Sequence, residues 1–411
     1  MPAVTFTTGG ALKKSALRQA NERLVLNVIR KSPAVSRADI VRLTGLAPSS
    51  VTFIVKRLKR EKLIVEEKVD NYSQVGRQPT ALRLRPGAKV AAGVDVTLTG
   101  ARILLADLSD NVLASDEVPW HPDERIFFQR VNAGLHALLD PLPSSRILGA
   151  GVSLPGFIDR ATGRVIGAEN FNWFDVEAGS LLRHGIEAPF YFENGAKLSA
   201  LAEMWFPNDC GPLSDFISVS ARGGLGTGVI IGGQVLQGAD SAASEFGHIP
   251  INPEGPRCPC GNTGCWEQYA SDLALCRAYA EAAGVAADSV TAEAVVRGAR
   301  AGDAVSLEVL HKTARYVGIG FVNLIMALNP QAIIVNDYLA EAWDLIKDVV
   351  WDAIRGRMAG YYLRTVRICP SRHGSDASLM GTVAMVFSHF FSSFDHGTEA
   401  VPANAVLIRE H

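Results

Sequence analysis

Residues Glu245 to Glu267 read EFGHIPINPEGPRCPCGNTGCWE and hold three of the chain's six cysteines, Cys258, Cys260 and Cys265. His248 stands a short loop upstream. Three soft thiolates and one imidazole form a Cys3His donor set of the kind that takes tetrahedral zinc. Pro256, Pro259, Gly261 and Gly264 lie between and beside the donors. They do not sustain a helix or strand, and they suit a tight loop wrapped on an ion. Disulfide pairing is the competing reading, but three clustered cysteines leave one unpaired. Protein fills all four ligand positions, and no water-binding acid or base sits inside the cluster. The expected cofactor is therefore a closed, structural Zn2+ rather than a catalytic one.

The same stretch resembles a family signature. Glu245-Phe-Gly-His248 followed by Cys-x-Cys-Gly-x-x-Gly-Cys-x-Glu267 is similar to the pattern of the ROK family, which joins repressors and sugar kinases. The resemblance implies that His248 and the three cysteines hold zinc. It also implies that Glu245, His248 and Glu267 reach sugar hydroxyls. The implied fold class is α/β: a two-lobed, actin-like (ribonuclease H-like) sugar kinase fold. Family membership alone does not choose between kinase and repressor.

Composition bounds the choice. A chain of 411 residues with 48% hydrophobic content has room for two or three domains with large cores. No apolar run is long enough for a membrane span, and the first residues lack the order of a signal peptide. Sparse cysteines fit a reducing compartment, so a cytoplasmic location is expected. The net charge of −2 hides an asymmetry. Residues 1–89 carry 18 Lys+Arg and 6 Asp+Glu, a net of +12, and the remainder carries 22 and 36, a net of −14. A basic head on an acidic body suits contact with a polyanion.

The head reads as a winged helix-turn-helix. Residues 1–20 are expected to be a mobile arm, and a first helix is predicted from Asn21 to Lys31. Ser36-Arg37-Ala38-Asp39 is a capping box that starts a second helix. Thr44-Gly45-Leu46 is the turn, and Pro48 suits the first position of a third helix. Val51, Ile54, Val55 and Leu58 form its inner stripe. That leaves Ser49, Ser50, Thr52, Phe53 and Lys56 outward, toward bases and phosphates in the major groove. Arg57, Lys59 and Arg60 follow, suited to phosphates or solvent. Two short strands, Leu63–Val65 and Ala81–Leu84, flank a polar loop with Gly76-Arg77-Gln78-Pro79. This is a wing whose Arg77 is placed for the minor groove or the backbone. A solvated basic bundle is the bland reading; the order of elements and the charge together favour DNA.

The domains are set at 1–86 for the head, 87–210 for a first α/β lobe completed by the C-terminal helix, 211–391 for a second lobe with the zinc loop, and 392–411 for a tail. A kinase would need phosphate cradles and a base. Where the family's kinases carry Asp-x-Gly-Gly-Thr, this chain reads Asp95-Val96-Thr97-Leu98-Thr99. Where they carry Asn-Asp after a strand, it reads Asn194-Gly195, so the base is missing. Ile333-Ile334-Val335 runs into Asn336-Asp337 rather than glycines. The loop Gly223-Gly-Leu-Gly226-Thr-Gly228 alone reads as an intact phosphate cradle. No catalytic residue and no enzyme activity are expected. On the sugar side, Leu154-Pro155-Gly156, Gly163 and Asn170-Phe-Asn-Trp173 resemble the family pattern. The resemblance implies that Asn170, Asn194, Glu245, His248 and Glu267 line a sugar pocket, where amides and carboxylates match dense hydroxyls.

The expected function is a sugar-responsive transcriptional regulator, a repressor, acting as a homodimer or homotetramer on an inverted-repeat duplex operator. Its partners are thus DNA, a sugar or sugar derivative and a second copy, with no membrane. The rivals are an active sugar kinase with a DNA-binding head, and a regulator controlled by a protein partner.

Overall fold

Val51, Ile54, Val55 and Leu58 are all buried on one side of a helix in the computed structural model of the chain, which describes residues 14–32, 34–68, 80–206 and 210–392. The chain divides into two compact units. The first comprises the described residues of Met1–Lys89, Asp107–Asn111 and Phe387–His411; the second comprises Val90–Ala106 and Val112–Val386.

In the first unit, α1 (Lys14–Lys31), α2 (Arg37–Thr44) and α3 (Pro48–Arg60) are followed by β1 (Ile64–Lys68) and β2 (Thr80–Leu84). Helix α1 begins at least seven residues before the expected Asn21. The stretch Lys14–Ala20 lacks an apolar stripe, but good helix formers carry the turn, and Arg18 pairs with Glu22 one turn on at 3.7 Å. Lys13 and the rest of the expected arm lie outside the described residues. The capping box forms: the Ser36 hydroxyl accepts the Asp39 amide at 3.1 Å, and the Asp39 carboxylate accepts the Ser36 amide at 3.1 Å. Gly45 closes α2 in the left-handed region, φ 69°. Strands β1 and β2 pair antiparallel, Ile64 opposite Leu84. The wing loop, with Arg77, lies outside the described residues.

The second unit starts with β3 (Val90–Thr97), β4 (Gly100–Asp107) and β5 (Val112–Pro119), then α4 (Glu124–Leu139) and β6 (Ile147–Leu154). A small three-stranded sheet follows: β7 (Phe157–Asp159), β8 (Arg164–Ala168) and β9 (Trp173–Val176). Then come α5 (Ala178–Arg183), β10 (Phe190–Asn194) and α6 (Gly195–Trp205). A second passage opens with β11 (Phe216–Ser220), β12 (Gly226–Ile231) and β13 (Gln234–Val235). Its helices are α7 (Glu267–Ala270), α8 (Asp272–Ala283), α9 (Ala292–Arg300) and α10 (Ala304–Leu328). It ends with β14 (Ala332–Val335), α11 (Asp337–Glu341), α12 (Trp343–Arg355) and β15 (Arg367–Pro370). The closing helix α13 (Ala377–Ser392) is shared, with Phe387 onward in the first unit.

The two large sheets repeat one topology. Their orders are β5-β4-β3-β6-β10 and β13-β12-β11-β14-β15. In each, three consecutive strands are followed by two more added in parallel. Buried strands of this kind are near-continuous apolar runs, as in AIIV of β14, rather than alternating ones. The first sheet packs on α4 around Phe127, Phe128 and Trp173. The second packs on α10 and α12 around Phe321, Ile333 and Val350. Helix α13 lies hard on the first sheet, since a Cβ on Gly151 would come within 2.1 Å of the Thr382 carbonyl oxygen. Cys210 and Cys369, unassigned in the sequence reading, form a disulfide. Among the described residues no helix is long and apolar enough to cross a membrane.

Candidate functional site

The cysteine loop closes as its composition requires. The ligand atoms of His248, Cys258, Cys260 and Cys265 all lie within 4.8 Å of one another. The Cys260 and Cys265 sulfurs are 3.8 Å apart, and Cys258 Sγ is 3.7 Å from His248 Nδ1. A tetrahedron with metal–sulfur bonds near 2.3 Å has edges of about 3.8 Å, so the donors fit a zinc-sized ion. Burial pushes the Cys258 thiol up to about 12 and raises Cys265 as well. A bound cation is what favours thiolates in such a place. The loop is anchored by Trp266, 1% exposed, whose indole N–H donates to the Tyr316 carbonyl at 2.9 Å. Gly320 makes the room: a Cβ there would lie 1.9 Å from the indole.

A cleft of about 810 Å3 opens beside this loop, between the two large sheets. Asn170, Asn194, Glu245, His248 and Glu267 all line it. They come from both passages: Asn170 from the turn between β8 and β9, Asn194 from the end of β10, and the other three from the cysteine loop and its approach. Three of them also hold backbone. Asn194 caps α6, accepting the Ala196 amide at 2.9 Å while its Nδ2 donates to the Gly156 carbonyl at 3.0 Å. Asn170 Nδ2 donates to the Gly223 carbonyl at 2.8 Å. Glu267, 7% exposed, accepts the Leu225 amide at 3.1 Å. Glu169 lines the same end and was missed, because a carboxylate beside an asparagine in a turn reads as a solvated loop residue.

The phosphate end of the cleft is filled by the chain itself. The glycine loop after β11, expected to be an intact cradle, has its amides taken. Gly223 N–H donates to Asp272 at 2.8 Å, Leu225 N–H to Glu267 at 3.1 Å, and Ala221 N–H to Asp337 at 2.9 Å. Three carboxylates thus occupy donors that an anion would need. Arg222 was not singled out in the sequence reading. It donates to Asp95 at 2.7 Å. Burial alone would raise Asp95, but Arg222 and Arg102 hold it below the usual carboxylate range. Burial raises Asp337, with Arg222 opposing. Gly195, in place of the base, opens α6. A Cβ there would lie 3.0 Å from Ser153 Oγ and 3.1 Å from Ser378 Oγ, two hydroxyls bonded to each other at 2.9 Å. Glu193, the nearest acid in sequence, is 4% exposed and bound to Arg160 and Gln237 at 2.8 and 2.9 Å.

On the head, α3 exposes Ser49, Thr52, Phe53, Lys56, Lys59 and Arg60, with Ser50 half-buried. Thr52 bonds back to the Pro48 carbonyl at 2.8 Å. Arg57 is not available as expected: it ties α3 to the buried Glu22 of α1 and to Glu61, each at 2.8 Å. Lys59 and Arg37 share Glu66. The sequence could not show this, since Glu22 lies 35 residues away.

The profile of the ROK family matches residues 91–389, and that of a winged helix-turn-helix DNA-binding domain matches residues 18–65. A xylose repressor from Bacillus spizizenii is 28% identical over 91% of this chain and 96% of its own length. The crystal structure of a ROK family transcriptional regulator, a homolog of the E. coli Mlc protein, superposes with a TM-score of 0.75 at 24% identity, over 91% of this chain and 97% of that one. A ROK family glucokinase from Streptomyces griseus, solved with glucose and AMPPNP, gives 0.66 at 25% identity but covers only 73% of this chain against 99% of its own. The repressor thus matches along head and body, and the kinase along the body alone. The chain belongs to the ROK family, among its members that carry a winged helix-turn-helix head and act as DNA-binding transcriptional regulators.

Proposed function

We infer that this chain is a repressor of carbohydrate genes whose body takes a sugar between the lobes 87–210 and 211–391 and whose head, 1–86, holds an operator. The observation that carries this reading is the contrast within one cleft. Amide oxygens and carboxylates remain at the end lined by Asn170 and Glu245, while the amides at the other end are bound by Asp272 and Asp337. A polyol needs the first set, and a nucleotide needs the second. The xylose repressor and the glucose-bound kinase support a sugar as the effector class.

In this reading Asn170, Asn194, Glu245, His248 and Glu267 contact the sugar. A structural Zn2+ on His248, Cys258, Cys260 and Cys265 fixes the loop that presents Glu267. One nitrogen of His248 serves the metal while the other is left for a hydroxyl, which sets the tautomer. Ser49, Ser50, Thr52 and Lys56 face the major groove, with Arg77 in the wing. Two copies, or two pairs, bind a two-fold operator. The sugar acts only through unequal affinity for the states with and without DNA.

Calorimetry of the full chain against D-xylose, D-glucose, N-acetyl-D-glucosamine and their phosphates checks the effector. Binding should weaken by at least about tenfold in Asn170→Ala and Glu267→Ala, each removing a hydrogen bond to a hydroxyl. Undiminished binding in both variants would refute the pocket.

A further inference from the structure

Neither the sugar set nor the DNA face uses the ion pairs at the phosphate end of the cleft. Arg222 follows β11. Its Nη2 donates to Asp95 Oδ2, on β3 of the other large sheet, at 2.7 Å. Its Nη1 donates to the Ser375 carbonyl at 3.0 Å, and its Nε lies 3.7 Å from Asp337 Oδ1. Asp95 is 1% exposed and also accepts the Ser378 hydroxyl at 2.8 Å and Arg102 at 3.2 Å. One guanidinium therefore ties strands of two sheets, across 127 residues of chain.

We propose that Arg222 is a clasp between the lobes that takes over the bridging role of nucleotide phosphates, so that the sugar pocket is set without nucleotide. The loop that Arg222 starts makes the connection. Gly223, next in sequence, accepts Asn170 through its carbonyl, and Leu225 N–H holds Glu267. One wall residue from each passage thus hangs on the segment that the guanidinium fixes to Asp95. Arg222 is a positioning residue: it acts on the sugar through this loop. A rigid planar fork can serve Asp95 and a carbonyl together, which a lysine ammonium does less well. Removing it leaves two buried carboxylates, Asp95 and Asp337, in each other's field, with Arg102 left against Asp95. An arrangement with these two sheets further apart then gains, because water can reach both acids.

The sugar arm of the test rests on the proposed function, and the exchange arm does not. Full-length wild type, Arg222→Ala and Arg222→Lys are compared. In calorimetry, the wild-type Kd for the sugar it binds should be indifferent to Mg-ATP. Arg222→Ala should raise that Kd about tenfold, within the usual span of coupling between sites. Added methylguanidinium should restore affinity to Arg222→Ala and leave wild type unchanged, which a merely structural arginine would not predict. Arg222→Lys should fall between. Amide exchange of Ala221–Leu225, followed by mass spectrometry without sugar, should quicken in Arg222→Ala and slow again with methylguanidinium. Tightening of wild-type sugar binding by nucleotide, an unchanged Kd in Arg222→Ala, or exchange that is unaltered or not rescued would overturn the clasp. Should wild type bind no sugar, the functional reading falls and the exchange arm alone judges the clasp. If Arg222→Ala fails to fold, Asp95→Asn takes its place with the same readouts except guanidinium rescue.

Discussion

Asp272 is a carboxylate held where the charge is disfavoured. Burial first, and Asp337 after it, push its pKa up to about 6, against the pull of the Gly223 and Leu273 amides. The sign follows from linkage. A carboxyl whose value is raised by folding favours the fold fully below its unfolded value of about 3.9, and that contribution is lost as pH rises through about 6. Asp272→Asn keeps an oxygen for Gly223 and removes the charge. It should gain on wild type between pH 4 and pH 7, by up to about 3 kcal/mol, and show no gain at pH 4. Urea melts across that range measure the difference, and a gain that does not grow with pH would contradict the assignment. That a natural chain retains such an acid fits a residue kept for the loop amides it occupies rather than for stability.

The element that would fasten the proposed pocket is the cysteine loop with its Trp266 anchor. Gly320→Ala drives a methyl into the indole and should cost about 1–3 kcal/mol by overpacking. It should also lower zinc content and loosen sugar binding, because Trp266 sits between Cys265 and Glu267. Cys258→Ser should abolish the metal, about one ion per chain by elemental analysis. Retained zinc in Cys258→Ser would show that the ion sits elsewhere. This element was legible in the sequence because its four donors fall within 18 positions, His248 to Cys265. Helix α3 was legible for a similar reason, since one stripe at helical spacing fixes which residues are buried. The start of α1 was not, because Lys14–Ala20 carries no stripe. Nor was the phosphate end of the cleft. The glycine loop looks open in sequence, and only folding brings Asp272 and Asp337 to its amides, from 49 and 116 residues away. Local pattern reveals elements and short-range donor sets; ion pairs that cross sheets leave no periodic trace.

At the scale of the whole molecule, α13 is the segment that both units share. Its first turn offers Ser378 to Asp95, its middle lies on the first sheet at Thr382, and its last turn places the Phe391 ring 5.7 Å from the Arg30 guanidinium of α1. Burial lowers Arg30 to about 10. Phe391→Ala should leave sugar affinity alone but shrink, about fivefold, the factor by which sugar changes operator affinity. Operator Kd with and without sugar gives that factor, and an undiminished ratio would remove α13 from the coupling. The serine pair under Gly195 has a further consequence. Ser153 and Ser378 close on each other where an acid's side chain would begin, and Ser378 in turn steadies Asp95. Gly195→Asp would crowd those hydroxyls and still meet a glycine loop whose Gly223 and Leu225 amides are already bound. One substitution at position 195 would thus leave the far end of the cleft closed to a phosphate, because the obstruction is shared among carboxylates on three other segments.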